Sequence, residues 1–212
     1  SRAGVISMWD MEQVEVLRGP QSTNQGRNAL AGAIVLKSKD PEFQRSGQAK
    51  VSSAEYGSTQ LAFAHTAPLS ENLAFRVSVD RQFKDGYLNN TFFDDDEWNA
   101  MSTETIRGKL LYLADNGSEW LFTASDATYE EKGDDNVLYK ASDRLAYDNY
   151  RSTRETSVNN YVLEVNQALN NDWSLTSVTS VNRTNFVRDT DGDIFSTLTG
   201  NATTGQDIDE EL

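Results

Sequence analysis

The 212-residue chain contains no cysteine, one histidine (His65) and three prolines. Without cysteine there is no disulfide framework, zinc-thiolate site, iron–sulfur cluster or thiol nucleophile. Bases are scarce too: 19 stand against 33 acids, for a formal net charge of −14. Phosphate contacts need a basic face, so no nucleic-acid partner is expected. No run approaches the ~18 uninterrupted apolar residues of a membrane-spanning helix. The N-terminus, Ser1 to Gly4, lacks the basic-then-apolar pattern of a targeting signal. A membrane crossing by strands stays open, because transmembrane strands are short and alternate in polarity.

The charge that is present is unevenly placed. Residues 85–104, 130–157 and 185–212 together hold 20 acids and 6 bases, and the remaining 13 acids and 13 bases cancel. These three intervals are rich in Asp, Asn, Gly, Ser and Thr, which are loop compositions. Between them the apolar residues alternate with period two. Leu61, Phe63 and His65 alternate with Gln60, Ala62 and Ala64; Leu73, Phe75, Val77 and Val79 alternate with Ala74, Arg76, Ser78 and Asp80. Trp120 to Ala124, Tyr161 to Val165 and the run after Trp173 behave alike. The pattern predicts about seven strands of roughly 10–14 residues. Short connections at Pro68 to Asn72, Ala114 to Ser118 and Asn170 to Asp172 alternate with the long acidic segments. That alternation suits an outer-membrane barrel, with short turns at one end and long loops at the other. A soluble all-β domain also satisfies the periodicity, so the pattern by itself leaves both open.

Residues 11–41 differ in kind. Val14-Glu15-Val16-Leu17-Arg18-Gly19-Pro20 is followed by Gly26-Arg27-Asn28-Ala29, then Gly32 and Ile34, and then Lys39-Asp40-Pro41. Physically this is a strand, a Gly-Pro turn, a small-residue stretch that permits close backbone approach, and a second strand. The succession of blocks resembles the end of the plug domain of TonB-dependent outer-membrane receptors, of the ferric-siderophore type. Pro68 to Arg76 and Asp85-Gly86-Tyr87 resemble the first barrel hairpins of the same family. The chain departs from the family pattern at Asn24-Gln25-Gly26, where Leu-Tyr-Gly is common, and at Ile34-Val35-Leu36, where Ile-Asn-Ile is common.

The resemblance implies a mainly all-β fold: antiparallel strands of an outer-membrane β-barrel, preceded by the C-terminal part of an α/β plug domain. Residues 1–43 would belong to the plug and 44–212 to the first barrel strands, with long acidic loops near 85–104, 130–157 and 188–206. The family's barrel has about 22 strands, so the chain would be a truncated piece whose barrel cannot close in the normal way. Two open strand edges would then invite association with another copy. The implied function is import of a ferric siderophore across the outer membrane of a Gram-negative bacterium. A TonB-type protein at the inner membrane would energise it, and outer-membrane lipid would surround it. Another scarce nutrient (cobalamin, haem or a carbohydrate) and a non-energised, porin-like barrel are the alternatives. By resemblance Arg18 would form an ion pair between plug and barrel wall, with Glu211 as its partner. Glu15 would face water in the lumen.

No enzyme activity, catalytic residue, cofactor or metal site is expected. Asp189-Thr190-Asp191-Gly192-Asp193 fails the EF-hand spacing, since Gly192 is fourth and the twelfth residue is Gly200. Asp94-Asp95-Asp96-Glu97 reads as a solvated acidic loop. His65 reads as an interfacial residue rather than a haem ligand. Trp98, Trp120 and Trp173 suit an aromatic girdle at the membrane interface. Lys132, Lys140, Arg144, Arg151 and Arg154 cluster in one loop as a local basic patch.

Overall fold

The computed structural model describes residues 7–20, 32–133, 144–169 and 172–190, and the backbone of 210–211. All regular structure among them is β. Strands β1 (Met11–Arg18) and β2 (Gly32–Ser38) form an antiparallel pair of their own. The main sheet is built from β3 (Ser46–Ser53), β4 (Thr59–Pro68), β5 (Leu73–Lys84), β8 (Met101–Leu113), β9 (Ser118–Lys132), β11 (Thr153–Ala168), β12 (Ser174–Asp189) and β13 (Glu210–Glu211). These lie in that order, each antiparallel to the next, and the sheet is open.

The register explains the alternation. His65, Val77, Gly108, Ala124, Tyr161 and Val181 form one row across six strands; Ala67, Phe75, Leu110, Phe122, Leu163 and Thr179 form the next. Between these rows, on the opposite face, lie Thr66, Arg76, Lys109, Thr123, Val162 and Ser180. Side chains alternate between faces with period two, so one face is apolar and the other polar. The polarity is inverted relative to a water-soluble sheet. Thr66, Arg76, Ser78, Asp80 and Lys109 are buried, while Phe63, Leu110, Phe122 and Tyr161 are exposed. An apolar face turned outward over six strands belongs against lipid.

His65 sits on this outward face between the rings of Phe63 and Phe75, with centroids 6.3 and 5.9 Å away. At the short-turn end Tyr112 stands opposite Trp120, whose indole Nε1–H donates to Ser118 Oγ at 3.0 Å. This is girdle placement. The turn itself is tight: Gly117 takes φ +78°, and the Ala114 amide donates to the Ser118 carbonyl at 2.8 Å.

Three strands run longer than the periodicity predicts. β9 has 15 residues, and β11 and β12 have 16 each, against the ~9–11 that cross a bilayer. The excess lies toward the long loops, where outward positions of β11 turn polar: Thr153, Glu155, Ser157 and Asn159. A strand that leaves the membrane meets water on both faces. Its alternation fades there, and the sequence pattern stops before the strand does.

The long loops are folded rather than merely solvated. β6 (Leu88–Asn90) pairs antiparallel with β7 (Asp95–Trp98) and parallel with β10 (Leu145–Ala146), joining two loops into a three-stranded sheet. Leu88, Trp98 and Ala146 form its core, with Phe93 stacked on Trp98 at 5.6 Å. Trp98 therefore anchors a loop and does not join the girdle. Arg151 pairs with Asp95 at 2.9 Å and lies 4.6 Å above the Phe93 ring, which relieves the acidic run. Asp94, Asp96 and Glu97 remain exposed. Gly133, at φ +79°, passes so near the Trp98 indole that a Cβ would lie 2.8 Å from it.

Placing a charge on the outward face tests the inverted polarity. Phe122→Arg is expected to cost about 2–4 kcal/mol in lipid vesicles. Thr123→Arg, one residue away on the inner face, should cost far less. Denaturant unfolding in vesicles measures both, and equal losses would mean that the two faces have been assigned wrongly.

Candidate functional site

The inner face of the sheet meets the N-terminal segment through a set of buried charges. Asp10 ends the turn before β1 in the left-handed region, at φ 59°, a conformation that Asp tolerates better than most residues. Its carboxylate is buried and accepts from Arg76 twice, from Nε at 2.7 Å and from the second guanidinium nitrogen. Gln48 Nε2 donates to the same carboxylate at 3.1 Å. The Asp10 carbonyl accepts from the Lys39 amide at 3.1 Å, so one residue ties the entry of β1 to the exit of β2. The forked guanidinium fits the two carboxylate oxygens, giving a charge-assisted, bidentate pair.

A second pair lies beside the first. Lys109 Nζ donates to Asp40 Oδ1 at 2.7 Å and to the Ser38 carbonyl at 3.1 Å. Arg76 and Lys109 are direct partners in the register of β5 and β8. The sheet thus presents two cations in one row, and the N-terminal segment presents one carboxylate before its hairpin and one after it. Nearby, Ser7 Oγ donates to Asp80 Oδ2 at 2.7 Å, Trp9 Nε1 donates to the Phe63 carbonyl at 3.1 Å, and the Glu42 amide donates to Thr66 Oγ1 at 2.9 Å. Gln60 and Gln82 also donate to the Asp80 carboxylate, at 2.8 and 2.9 Å. A cleft of about 580 Å³ separates the hairpin from the inner wall, with Lys37, Arg107 and Glu164 among its lining.

Val14, Glu15, Val16, Leu17 and Arg18 form most of β1, followed by Gly19 at φ +85° and Pro20. Ile34 pairs with Val16, and Gly32 with Arg18. Gly32 takes φ +148°, and a Cβ there would stand 2.5 Å from the Leu17 carbonyl oxygen, so the close approach requires glycine. Gly26, Arg27, Asn28 and Ala29 lie outside the described residues. Arg18 is exposed and makes no ion pair among the described residues. Glu211 pairs through its backbone with Arg183, and its side chain lies outside them. Across the hairpin Lys37 bonds Glu12 at 3.0 Å. That hydrogen bond, then the charges of Glu12 and Asp40, hold the exposed Lys37 ammonium above the ordinary lysine range. Asp10, Asp40, Arg76 and Lys109 escape sequence reading, because single charges on alternating strands become a site only through register.

No family model matches the chain. The ferrioxamine B receptor of Salmonella typhimurium is 34% identical over 83 residues, 38% of this chain and 12% of the receptor. The ferric enterobactin receptor of Pseudomonas aeruginosa is 31% identical over 94 residues, 42% of this chain and 11% of that one. Among solved structures, the ferric yersiniabactin uptake receptor of Yersinia pestis superposes with a TM-score of 0.77 at 21% identity, covering 85% of this chain and 29% of that one. The curated relatives of this chain are TonB-dependent outer-membrane receptors, and over most of its length the chain shares the fold of one solved receptor of this kind. It spans about an eighth of the curated relatives it matches. TonB-dependent receptors are transport receptors and not enzymes, and their place is the outer membrane of Gram-negative bacteria. The outward apolar face is therefore the lipid-facing wall of such a barrel, and the polar face looks into the lumen.

Breaking a buried pair from one side costs more than replacing both partners. Asp10→Ala is expected to destabilise docking of the hairpin by about 3–5 kcal/mol, because it strands Arg76 without its carboxylate. Asp10→Leu combined with Arg76→Met should recover most of that loss. Hydrogen exchange of the β1 amides reads both. Equal exposure in the single and double variants would show that the pair does not hold the hairpin.

Proposed function

We propose that this chain is part of a receptor that imports a ferric siderophore, with a TonB-type inner-membrane protein as its source of energy. The observation that carries the reading is the N-terminal hairpin, held against the lumen face by Asp10–Arg76 and Asp40–Lys109. An open diffusion channel has no use for a hairpin fixed in its bore. The likeness to ferrioxamine and ferric enterobactin receptors supports the cargo class.

In this reading the two pairs set how the hairpin moves. They flank it in sequence, at residues 10 and 40, so pulling on either end loads one pair before the other. Each pair exchanges a protein partner for water when it opens, which keeps the cost of release below that of exposing a buried apolar core. No covalent step is involved, and the work is coupling between ligand capture and hairpin position. Among the described residues, three loop cations at the outer end are engaged: Arg151 with Asp95, Arg154 with Glu131 at 3.0 Å, and Arg144 over the Tyr56 ring at 5.7 Å. Cargo selection by simple attraction of anions is thereby weakened, which leaves shape and aromatic contact as the discriminating features.

Growth of a deletion strain under iron limitation, supplied with one ferric siderophore at a time, tests the cargo. Loss of growth on a single chelate, restored by the gene, is the expected result. Normal growth on every chelate in a strain stripped of its other receptors would move the cargo to another nutrient.

A further inference from the structure

Asp80 carries a buried charge that neither hairpin pair uses. It is 3% exposed, on the inner face of β5, and makes no ion pair among the described residues. Its donors are all neutral: Ser7 and Gln82 on Oδ2, and Gln60 on Oδ1. Arg107 is its complement. Half-buried on the inner face of β8, it lines the cleft between hairpin and wall and makes no hydrogen bond or ion pair among the described residues. Ser7 lines the same cleft and Asp80 does not. Ser7 therefore closes the carboxylate off from the space that Arg107 occupies.

The register sets the two charges side by side. Asp80 stands opposite Thr105 and Arg107 opposite Ser78, so the two are diagonal neighbours on one face. Such neighbours have Cβ atoms ~7–8 Å apart, a gap that a long side chain spans. The other wall cations are worse placed. Arg76 is four residues away along β5, and Lys50, opposite Ala62, is two strands off. Withdrawing the N-terminal segment takes Ser7 from Asp80 and admits water to the cleft. A guanidinium held desolvated without a partner gains on both counts, from the water and from the carboxylate.

We propose that withdrawal of the N-terminal segment passes Asp80 from Ser7 to Arg107, so that the wall closes an ion pair of its own and the released state acquires a latch. In the docked state Ser7 keeps the two charges apart. In the released state their pairing offsets part of the cost of leaving Arg76 without Asp10 and Lys109 without Asp40. Arg107 is then a positioning residue, acting on the hairpin through Asp80. The latch rests on the proposed movement of the hairpin during import, whatever the cargo.

The test uses the protein expressed from its complete coding sequence, in lipid nanodiscs, with no cargo and no energising partner added. Hydrogen exchange at two amides reads how often the segment leaves the wall: Glu42, which donates to Thr66 Oγ1, and Trp9, which donates to Ser7 Oγ. Arg107→Gln is expected to slow this exchange roughly fivefold, because the released state loses its pair. Arg107→Lys should stay near wild type, and Arg107→Gln should do much less in an Asp80→Asn background. A purely structural arginine would give the opposite sign, since its loss loosens the fold. Heat-modifiable gel mobility confirms that each variant is a folded barrel. Faster or unchanged exchange in folded Arg107→Gln, or an equal slowing in the Asp80→Asn background, would overturn the proposal. No cargo takes part, so failure here removes the latch, whereas failure of the growth assay removes the siderophore.

Discussion

A strand that faces hydrocarbon on one side must satisfy every backbone hydrogen bond with its neighbours and send its polar side chains to the other side. This constraint organises the molecule. It places Phe63, Leu110, Phe122 and Leu163 outward, and it forces Arg76, Asp80 and Lys109 into the interior, where an unpaired charge is costly. The N-terminal segment answers that cost with Asp10, Asp40 and Ser7. The inner face is polar because the outer face cannot be, and the hairpin docks there because the inner face is polar.

The same division governs the two ends. At the short-turn end the wall closes within a few residues, with Gly117 and the Tyr112–Trp120 pair marking the interface. At the other end the strands outlast the membrane and the loops acquire their own small core around Leu88 and Trp98. Parallel pairing of β6 and β10 and the Arg151–Asp95 bond make that loop sheet a firm element.

Much of this was legible in the order of residues. Period-two alternation announced β4, β5, β9 and β11, and Asn116-Gly117 announced a tight turn. The blocks Val14 to Pro20 and Gly26 to Ile34 carried the resemblance to a plug, and their described residues lie in or beside the hairpin. What stayed hidden had physical causes. The outer halves of β9 and β11 carry no apolar alternation, since water lies on both sides. The acidic run at Asp94 to Glu97 conceals a folded element, because the core under it comes from Leu88, Trp98 and Ala146, scattered across two loops. Arg18 drew attention by motif, and among the described residues the ion pairs seen between the hairpin segment and the wall are those of Asp10 and Asp40.

The amino-acid order alone determined what depends on neighbours along the chain: which residues alternate, where turns fall, which stretches carry net charge and which blocks resemble a plug. Pairing between strands decided the rest. Arg76 and Lys109 are 33 positions apart and become one site only when β5 and β8 align them. Asp80 and Arg107 become neighbours through the same alignment. Local sequence sets the face a side chain occupies, but the register sets the company it keeps, and charge pairing depends on company.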